Sequence, residues 1–281
     1  MAETNLEFTT PAPAARRLWP LAGVVWIDLL ITVALIFIGV LAVQIVGLGI
    51  AAFQQGLSLD DIRRLSPQEQ IALIGMPGVF ISVLLQNVIC VAIPLIRIGL
   101  VRREPLARIG ITSAQWPRNL AIGVGVGLAA LITNIAFGWF FSRVLGIEND
   151  QSAQMAQFFR PGDLLGQALF AVMTIVLAPI GEETLFRGYL FNALRSAGGR
   201  GWLVAAYLIS AGLFASIHLS GVSQGAVGLL FPLFVMALIF TAATHWTGSL
   251  VPAIVGHALN NSLVTFGLIA CVNFPTEGCP I

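Results

Sequence analysis

The chain has 281 residues, of which 57% are hydrophobic and only 10% charged, and its mean hydropathy is +0.91. A soluble domain carries roughly a quarter charged residues, so this composition excludes a chain that covers itself against water. A net charge of +1 excludes nucleic acid as a partner held on a basic surface.

The first 20 residues form a polar, Pro-rich tail. The apolar run 21–53 is far too long for the core of a signal peptide and reads as a first transmembrane helix that is not cleaved. Further runs at 71–100, 119–144, 164–194, 202–218, 225–245 and 250–270 are each long enough to cross about 30 Å of hydrocarbon. That makes seven spans, or eight if Pro77 or Pro94 breaks one of them. The polar stretch 58–70, with Asp60, Asp61, Arg63, Arg64 and Glu69, predicts a loop or short surface helix. The fold class is therefore an all-α, polytopic helical bundle whose surroundings are a lipid bilayer. It divides into a tail (1–20), N-terminal helices (21–163), a core (164–270) and a short C-terminal tail (271–281).

All 14 basic residues are arginines. Arg16 and Arg17, the cluster Arg97, Arg102, Arg103, Arg108 and Arg118, and the pair Arg195 and Arg200 fall on one side of a seven-span chain. The other side receives Arg63, Arg64, Arg143 and Arg160. The excess predicts a cytoplasmic N-terminus and a place in the plasma (inner) membrane. Three cysteines, Cys90, Cys271 and Cys279, have no CxxC spacing, and Cys271 and Cys279 fit a pair and free thiols equally well.

Within the spans, Gly123 and Gly127 suit close helix packing, and Gln86, Asn87 and Asn134 read as amides that join helices. Asp28 lies near the start of the first span, where it can reach the interface.

The ionisable residues concentrate further on. All three histidines (His218, His245, His257) and the adjacent acids Glu182 and Glu183 lie in the last hundred residues, and such groups are costly inside a membrane unless they are used. Glu183 and Arg187 stand i,i+4 in the favourable order for a helical ion pair. Glu182 is left without a local partner. The Gly-rich link 197–200 makes the fourth and fifth spans a hairpin. Glu182 and His218 are each 18 residues from Arg200, which puts both at about 27 Å from the turn. An acid and an imidazole at one level can hold a water between them.

His257 and Asn261, i,i+4 on the last span, share a face, but His257 is only some 10 Å from the start of its helix. The two depths agree only if the hairpin projects beyond that start. His245, beside Trp246, reads as an interfacial residue. Pro179 frees a backbone carbonyl and Gly181 permits another chain to approach closely.

Taken together, Glu182-Glu183-x-x-x-Arg187, Phe214-x-x-x-His218 and His257-x-x-x-Asn261 resemble the three motifs of the CPBP intramembrane proteases. That family groups type II CAAX prenyl endopeptidases with bacteriocin-processing and immunity proteins. The run 247–254 ahead of His257 is similar to the family's usual approach to its last motif. The resemblance covers about residues 164 to 268. It implies peptide-bond hydrolysis on a peptide or membrane-protein substrate, with Glu182 as general base on a water shared with His218. His257 and Asn261 would stabilise the oxyanion, and Glu183, Arg187 and Phe214 would support them.

Two alternatives stand beside this cofactor-free reading. Glu182, His218 and His257 are also an acceptable ligand set for a catalytic zinc, although the paired histidines of an HExxH helix are missing. The same scaffold with an inactive site would be an immunity or peptide-sequestering protein.

Overall fold

In the computed structural model, the described residues are 20–156, 161–276 and 279. The polar tail with Arg16 and Arg17, and Arg160, lie outside them.

Among the described residues, seven helices are long and apolar enough to cross a membrane. They are α1 (Leu21–Gln55), α2 (Glu69–Arg102), α3 (Trp116–Val144), α4 (Leu164–Arg195), α5 (Gly199–Leu219), α6 (Ala226–Thr247) and α7 (Val251–Asn273). The chain is an all-α integral membrane protein. Each expected span is present, longer by a few residues. Neither proline yields an eighth. Gly75, two residues before Pro77, leaves the helical conformation (φ 70°, ψ 178°). That relieves the clash a ring makes with the preceding turn and lets the helix resume. After Pro94 the helix widens to a π-helical stretch, Ile96–Arg102, and continues. The polar stretch between α1 and α2 forms the short helix Leu59–Arg64, and Ser58 with Asp61, then Ser66 with Glu69, close reciprocal caps on it and on α2.

The ends of the bundle are tied by hydrogen bonds between segments far apart in sequence. Leu250 N–H donates to Gly110 O at 2.9 Å at one end, and Gly162 N–H donates to Asn273 Oδ1 at 3.0 Å at the other. The connections 103–115 and 196–198 both lie at the first end, so the arginine clusters share it. Cys271 and Cys279 form a disulfide near the opposite end, which resolves the open choice for that pair.

α7 is held along α3 by the glycines singled out in the sequence. A Cβ on Gly123 would stand 2.7 Å from Val255 Cβ, and one on Gly127 would stand 3.0 Å from Gly256 O. Only hydrogen at these positions lets the two backbones meet. The seam fixes the rotation of the helix that carries His257 and Asn261.

The hairpin of α4 and α5 turns at Gly198 and Gly199, whose φ values of 87° and 79° suit glycine. A Cβ on Gly188 would meet Ile109 O at 3.0 Å and Leu250 Cδ1 at 3.2 Å, so α7 begins at the level of Gly188. The hairpin therefore runs on past that level from Gly188 to its turn. This resolves the conflict in depth. Glu183 is roughly 7.5 Å from Gly188 and His257 roughly 10 Å from Leu250 along their helices.

Two residues are placed otherwise than the sequence suggested. Asp28 does not reach the interface. It is 3% exposed, accepts from Arg97 Nε at 2.7 Å and Nη2 at 2.5 Å, and also accepts from the hydroxyl of Tyr189. Its charge is thus compensated inside the bundle. Asn87 does not join two helices through its amide N–H: its Nδ2 donates to Val83 O one turn back on α2. Asn134 does join two helices, donating to Asn260 Oδ1 at 3.3 Å.

Candidate active site

The site is built where α4, α5 and α7 meet, and irregularities in α4 determine its shape. Met173–Leu177 and Thr184–Phe191 are π-helical, with the α-helical segment Ala178–Glu183 between them. π-Helical turns leave the carbonyl pattern out of step with the following N–H groups. At the first turn, Ala178 N–H bonds back to Met173 O. In that register the next donor, for Thr174 O, would be Pro179, which has no N–H. Asn261 supplies it instead, Nδ2 donating to Thr174 O at 2.9 Å. At the second turn, Ser210 Oγ of α5 donates to Phe186 O at 3.0 Å, and Asn192 Nδ2 donates to Arg187 O and Gly188 O. Side chains thus satisfy the carbonyls that the widened helix releases.

Glu183 and Arg187 are both fully buried, and Arg187 Nη1 donates to Glu183 Oε1 at 3.0 Å. The same oxygen accepts from His257 Nδ1 at 2.9 Å. A carboxylate can only accept, so Nδ1 carries the proton and Nε2 is turned to the other side. There it lies 4.0 Å from Glu182 Oε2, beyond hydrogen-bond range. Glu182 Oε2 is buried and has no hydrogen-bond partner.

Aromatic rings wall this group. Phe240 stacks on the His257 ring with centroids 5.5 Å apart, and Phe214 meets it edge-on at 5.8 Å. The Arg187 guanidinium lies 4.1 Å from the Phe214 ring centroid. Phe214 therefore contacts the arginine, His257 and His218 together, the last with ring centroids 5.0 Å apart.

Of the predicted site residues, Glu182, Glu183, Arg187, His257 and Phe214 come into one group. His218 stands at its edge, in the tight turn Ile217–Gly221 that ends α5. Its Nδ1 is 3.0 Å from Phe214 O and so donates to it, leaving the lone pair on Nε2. Among the described residues, no ion pair within 4.0 Å joins Glu182 to His218; the imidazole that reaches the acids is His257. Asn261 lies one turn beyond His257 on α7, with one amide N–H committed to Thr174 O. His245 is elsewhere, at the end of α6, 2.9 Å from the Tyr207 hydroxyl.

Sequence reasoning missed Phe240, Asn260 and Thr174. Asn260 is buried and donates to Asn261 Oδ1 at 3.3 Å, which orients the amide that was predicted. Its own signal was present, an uncharged amide adjacent to a motif position inside an apolar helix.

Zinc fits this arrangement poorly. Among the described residues, no group of three or more His, Cys, Asp or Glu side chains is placed to hold a metal ion. His257 Nδ1 is engaged by Glu183, and the 4.0 Å between Nε2 and Glu182 exceeds the span of two ligands on one tetrahedral zinc, about 3.3 Å.

With this geometry established, comparison with known proteins is specific. Residues 164–263 match the family model described as Type II CAAX prenyl endopeptidase Rce1-like. Over that stretch the chain is similar to the type II CAAX prenyl endopeptidases. The matched stretch is a little over a third of the chain and holds every motif residue discussed above. No curated protein and no solved structure matches the chain. The Rce1-like match indicates an intramembrane endopeptidase of the CAAX type, with a peptide or protein substrate.

Proposed function

We propose that the chain hydrolyses a peptide bond of a peptide or membrane-associated protein, with Glu182 as general base and without a metal. The observation that carries this reading is the division of labour between the two acids. Glu183 is occupied on one oxygen by both Arg187 and His257, whereas Glu182 keeps a buried carboxylate oxygen free. A free carboxylate at the edge of an aromatic-walled group is suited to take a proton from water.

In this reading His218 Nε2 accepts from the same water on the other side. The water oxygen attacks the scissile carbonyl carbon, and its proton passes to Glu182. The oxyanion forms beside His257 and Asn261. His257 serves as a donor when it is protonated at both nitrogens, and Glu183 then stabilises the imidazolium. Asn261 retains a second amide N–H for the oxyanion. As the C–N bond breaks, Glu182 returns its proton to the leaving amine nitrogen. The segments holding Arg97 to Arg118, Arg195 and Arg200 face the cytoplasm in this reading, in the plasma (inner) membrane.

The test compares Glu182→Gln with Glu183→Gln in purified protein, with a prenylated CAAX-type peptide as probe and thermal unfolding in detergent as control. Glu182→Gln is expected to abolish cleavage at near-native stability. Glu183→Gln is expected to lower stability and also activity per folded molecule, because His257 loses its carboxylate partner. Full cleavage by Glu182→Gln would remove the base assignment. Stoichiometric zinc in the active enzyme, lost in His257→Ala, would replace the mechanism with the metal-dependent one.

A further inference from the structure

At the arginine-rich end of the bundle, a cavity of about 400 Å³ lies between the 103–115 connection and the α4–α5 hairpin. Arg108, Asn192, Arg195, Ser196, Gly199 and Leu203 line it. Asn192 spends its amide N–H groups on Arg187 O and Gly188 O, and Ser196 spends its hydroxyl proton on Ala193 O. The side-chain donors left to a guest are therefore the two guanidinium groups. Arg195 forms no ion pair with any described acid, and its guanidinium lies 5.6 Å from the Phe191 ring centroid. Arg108 Nε is 2.6 Å from one oxygen of Glu104, and Arg102 Nε donates to the other at 2.7 Å. One acid thus serves two arginines. With Arg195 counted, these four side chains carry two positive charges in excess.

The level of the cavity decides which anion suits it. Gly199 opens α5, and Trp202 follows on the first turn with an exposed ring. Trp116 at the start of α3 and Trp246 at the end of α6 are exposed at the same end of the bundle. Tryptophans on the outside of a membrane protein gather at the headgroup level. Leu203 lines the cavity itself, and Val204 and Leu208, 57% and 50% exposed, carry an apolar face from it along α5 into the hydrocarbon. A guest matched to this order is anionic at one end and apolar at the other. Arginine meets phosphate oxygens through paired N–H bonds, and basic pockets between transmembrane helices suit lipid headgroups.

We propose that this cavity binds an acidic phospholipid, whose headgroup phosphate accepts hydrogen bonds from Arg195 and Arg108 while its acyl chains lie along α5. The site stands apart from the hydrolytic mechanism, because none of Glu182, His218, His257 or Asn261 lines it. Asn192 nevertheless joins the cavity to the helix that carries the acids. Its amide satisfies the carbonyls that the π-helical turn releases at Arg187 and Gly188. A lipid seated against Asn192 and Arg195 braces this part of α4, and a ligand that binds only the folded chain raises its stability.

The experiment titrates the full chain, purified in a neutral detergent, with dioctanoyl phosphatidylglycerol, dioctanoyl phosphatidylcholine and inorganic phosphate. Thermal unfolding and native mass spectrometry read the binding. Phosphatidylglycerol should raise the unfolding temperature saturably, and phosphatidylcholine, whose trimethylammonium cancels the phosphate charge, should bind at least about tenfold more weakly. Arg195→Gln and Arg108→Gln should each weaken phosphatidylglycerol about tenfold, and Arg195→Lys, which keeps the charge but not the fork, should weaken it less. Arg200→Gln removes a charge at the same end but outside the cavity and should bind as wild type. Arg108 belongs to a separate segment, so its variant carries the test where Arg195→Gln does not fold. Unchanged binding in both cavity variants, an equal loss in Arg200→Gln, or equal affinity for phosphatidylcholine overturns the site. Inorganic phosphate that reproduces the effect with the same arginine dependence assigns the cavity to a soluble anion and overturns the lipid.

Discussion

Among the described residues, two ion-pair groups lie within the helical bundle, and they differ in how they are held. In one, Glu183 and Arg187 are a single helical turn apart and fully enclosed, with His257 brought in from α7. In the other, Asp28 of α1, Arg97 of α2 and Tyr189 of α4 come from three helices, and the Arg97 side chain remains 25% exposed. The first holds a charge arrangement beside a free carboxylate. The second clamps the N-terminal helices to the π-helical stretch that carries Arg187. Both lie in apolar surroundings, but only the first leaves acceptors and donors without partners: Glu182 Oε2, Glu183 Oε2 and two nitrogens of Arg187. On the proposed mechanism, the incompletely satisfied group is the one used for chemistry and the complete one serves assembly.

Removing one cation from each group tests that contrast. Arg187→Leu leaves the fully buried Glu183 with only His257 as partner, and a broken buried pair costs about 3–5 kcal/mol. Much of the protein should then fail to fold, which denaturation in mild detergent would show. Arg97→Leu strands Asp28, but the Tyr189 hydroxyl still donates to it, so the cost should be about 1–3 kcal/mol. Joint replacement of Asp28 and Arg97 by leucine should restore most of that stability, because no unpaired charge remains. Cleavage should follow the folded fraction in these α1 and α2 variants. An Arg97→Leu protein that is stable but inactive would give the second group a catalytic part and erase the distinction.

The same contrast explains what the sequence could reveal. Glu183 and Arg187 announce themselves because helix periodicity pairs i with i+4. Hydropathy located all seven helices because each must by itself cross the apolar layer. Glycines at 123 and 127 announced a seam, which the contact with α7 bears out. Asp28 and Arg97 are 69 positions apart, and Asp28 and Tyr189 are 161 apart. No local period links them, so Asp28 read as a residue near an interface. Asn87 was legible only as a polar residue in an apolar run. Its neighbour Gly181 was legible only as a place for close approach, and the packing of α2 on α4 is what joins the two statements. The depth of His257 looked inconsistent from helix lengths alone, because nothing local shows that α7 starts level with Gly188.

The smallest effect lies outside the hydrocarbon, where a carboxylate is well bonded yet open to water. Asp150, in the connection between α3 and α4, accepts from the Gln154 amide at 3.0 Å and from the Ser223 hydroxyl. It also accepts from the backbone N–H groups of Ser223 at 2.9 Å and Gln224 at 3.3 Å. The Gln154 and Ser223 side chains, then the backbone donors, hold its carboxyl well below the usual carboxylate range. A folded value below the unfolded one, about 3.9, means the contribution is complete above that pH and is lost as pH falls through the lowered range. Unlike the buried groups, this one is only partly buried, so solvent competes for each bond and the shift in stability should be slight. Limited proteolysis of the 148–156 and 221–225 connections between pH 5 and pH 2 should show them loosening on acidification in wild type. Asp150→Asn should be looser at pH 5 and change less with pH. Parallel acid sensitivity in the two proteins would assign the transition to another carboxylate, and Asp61, held low by the Ser58 hydroxyl and backbone N–H, is the next to substitute.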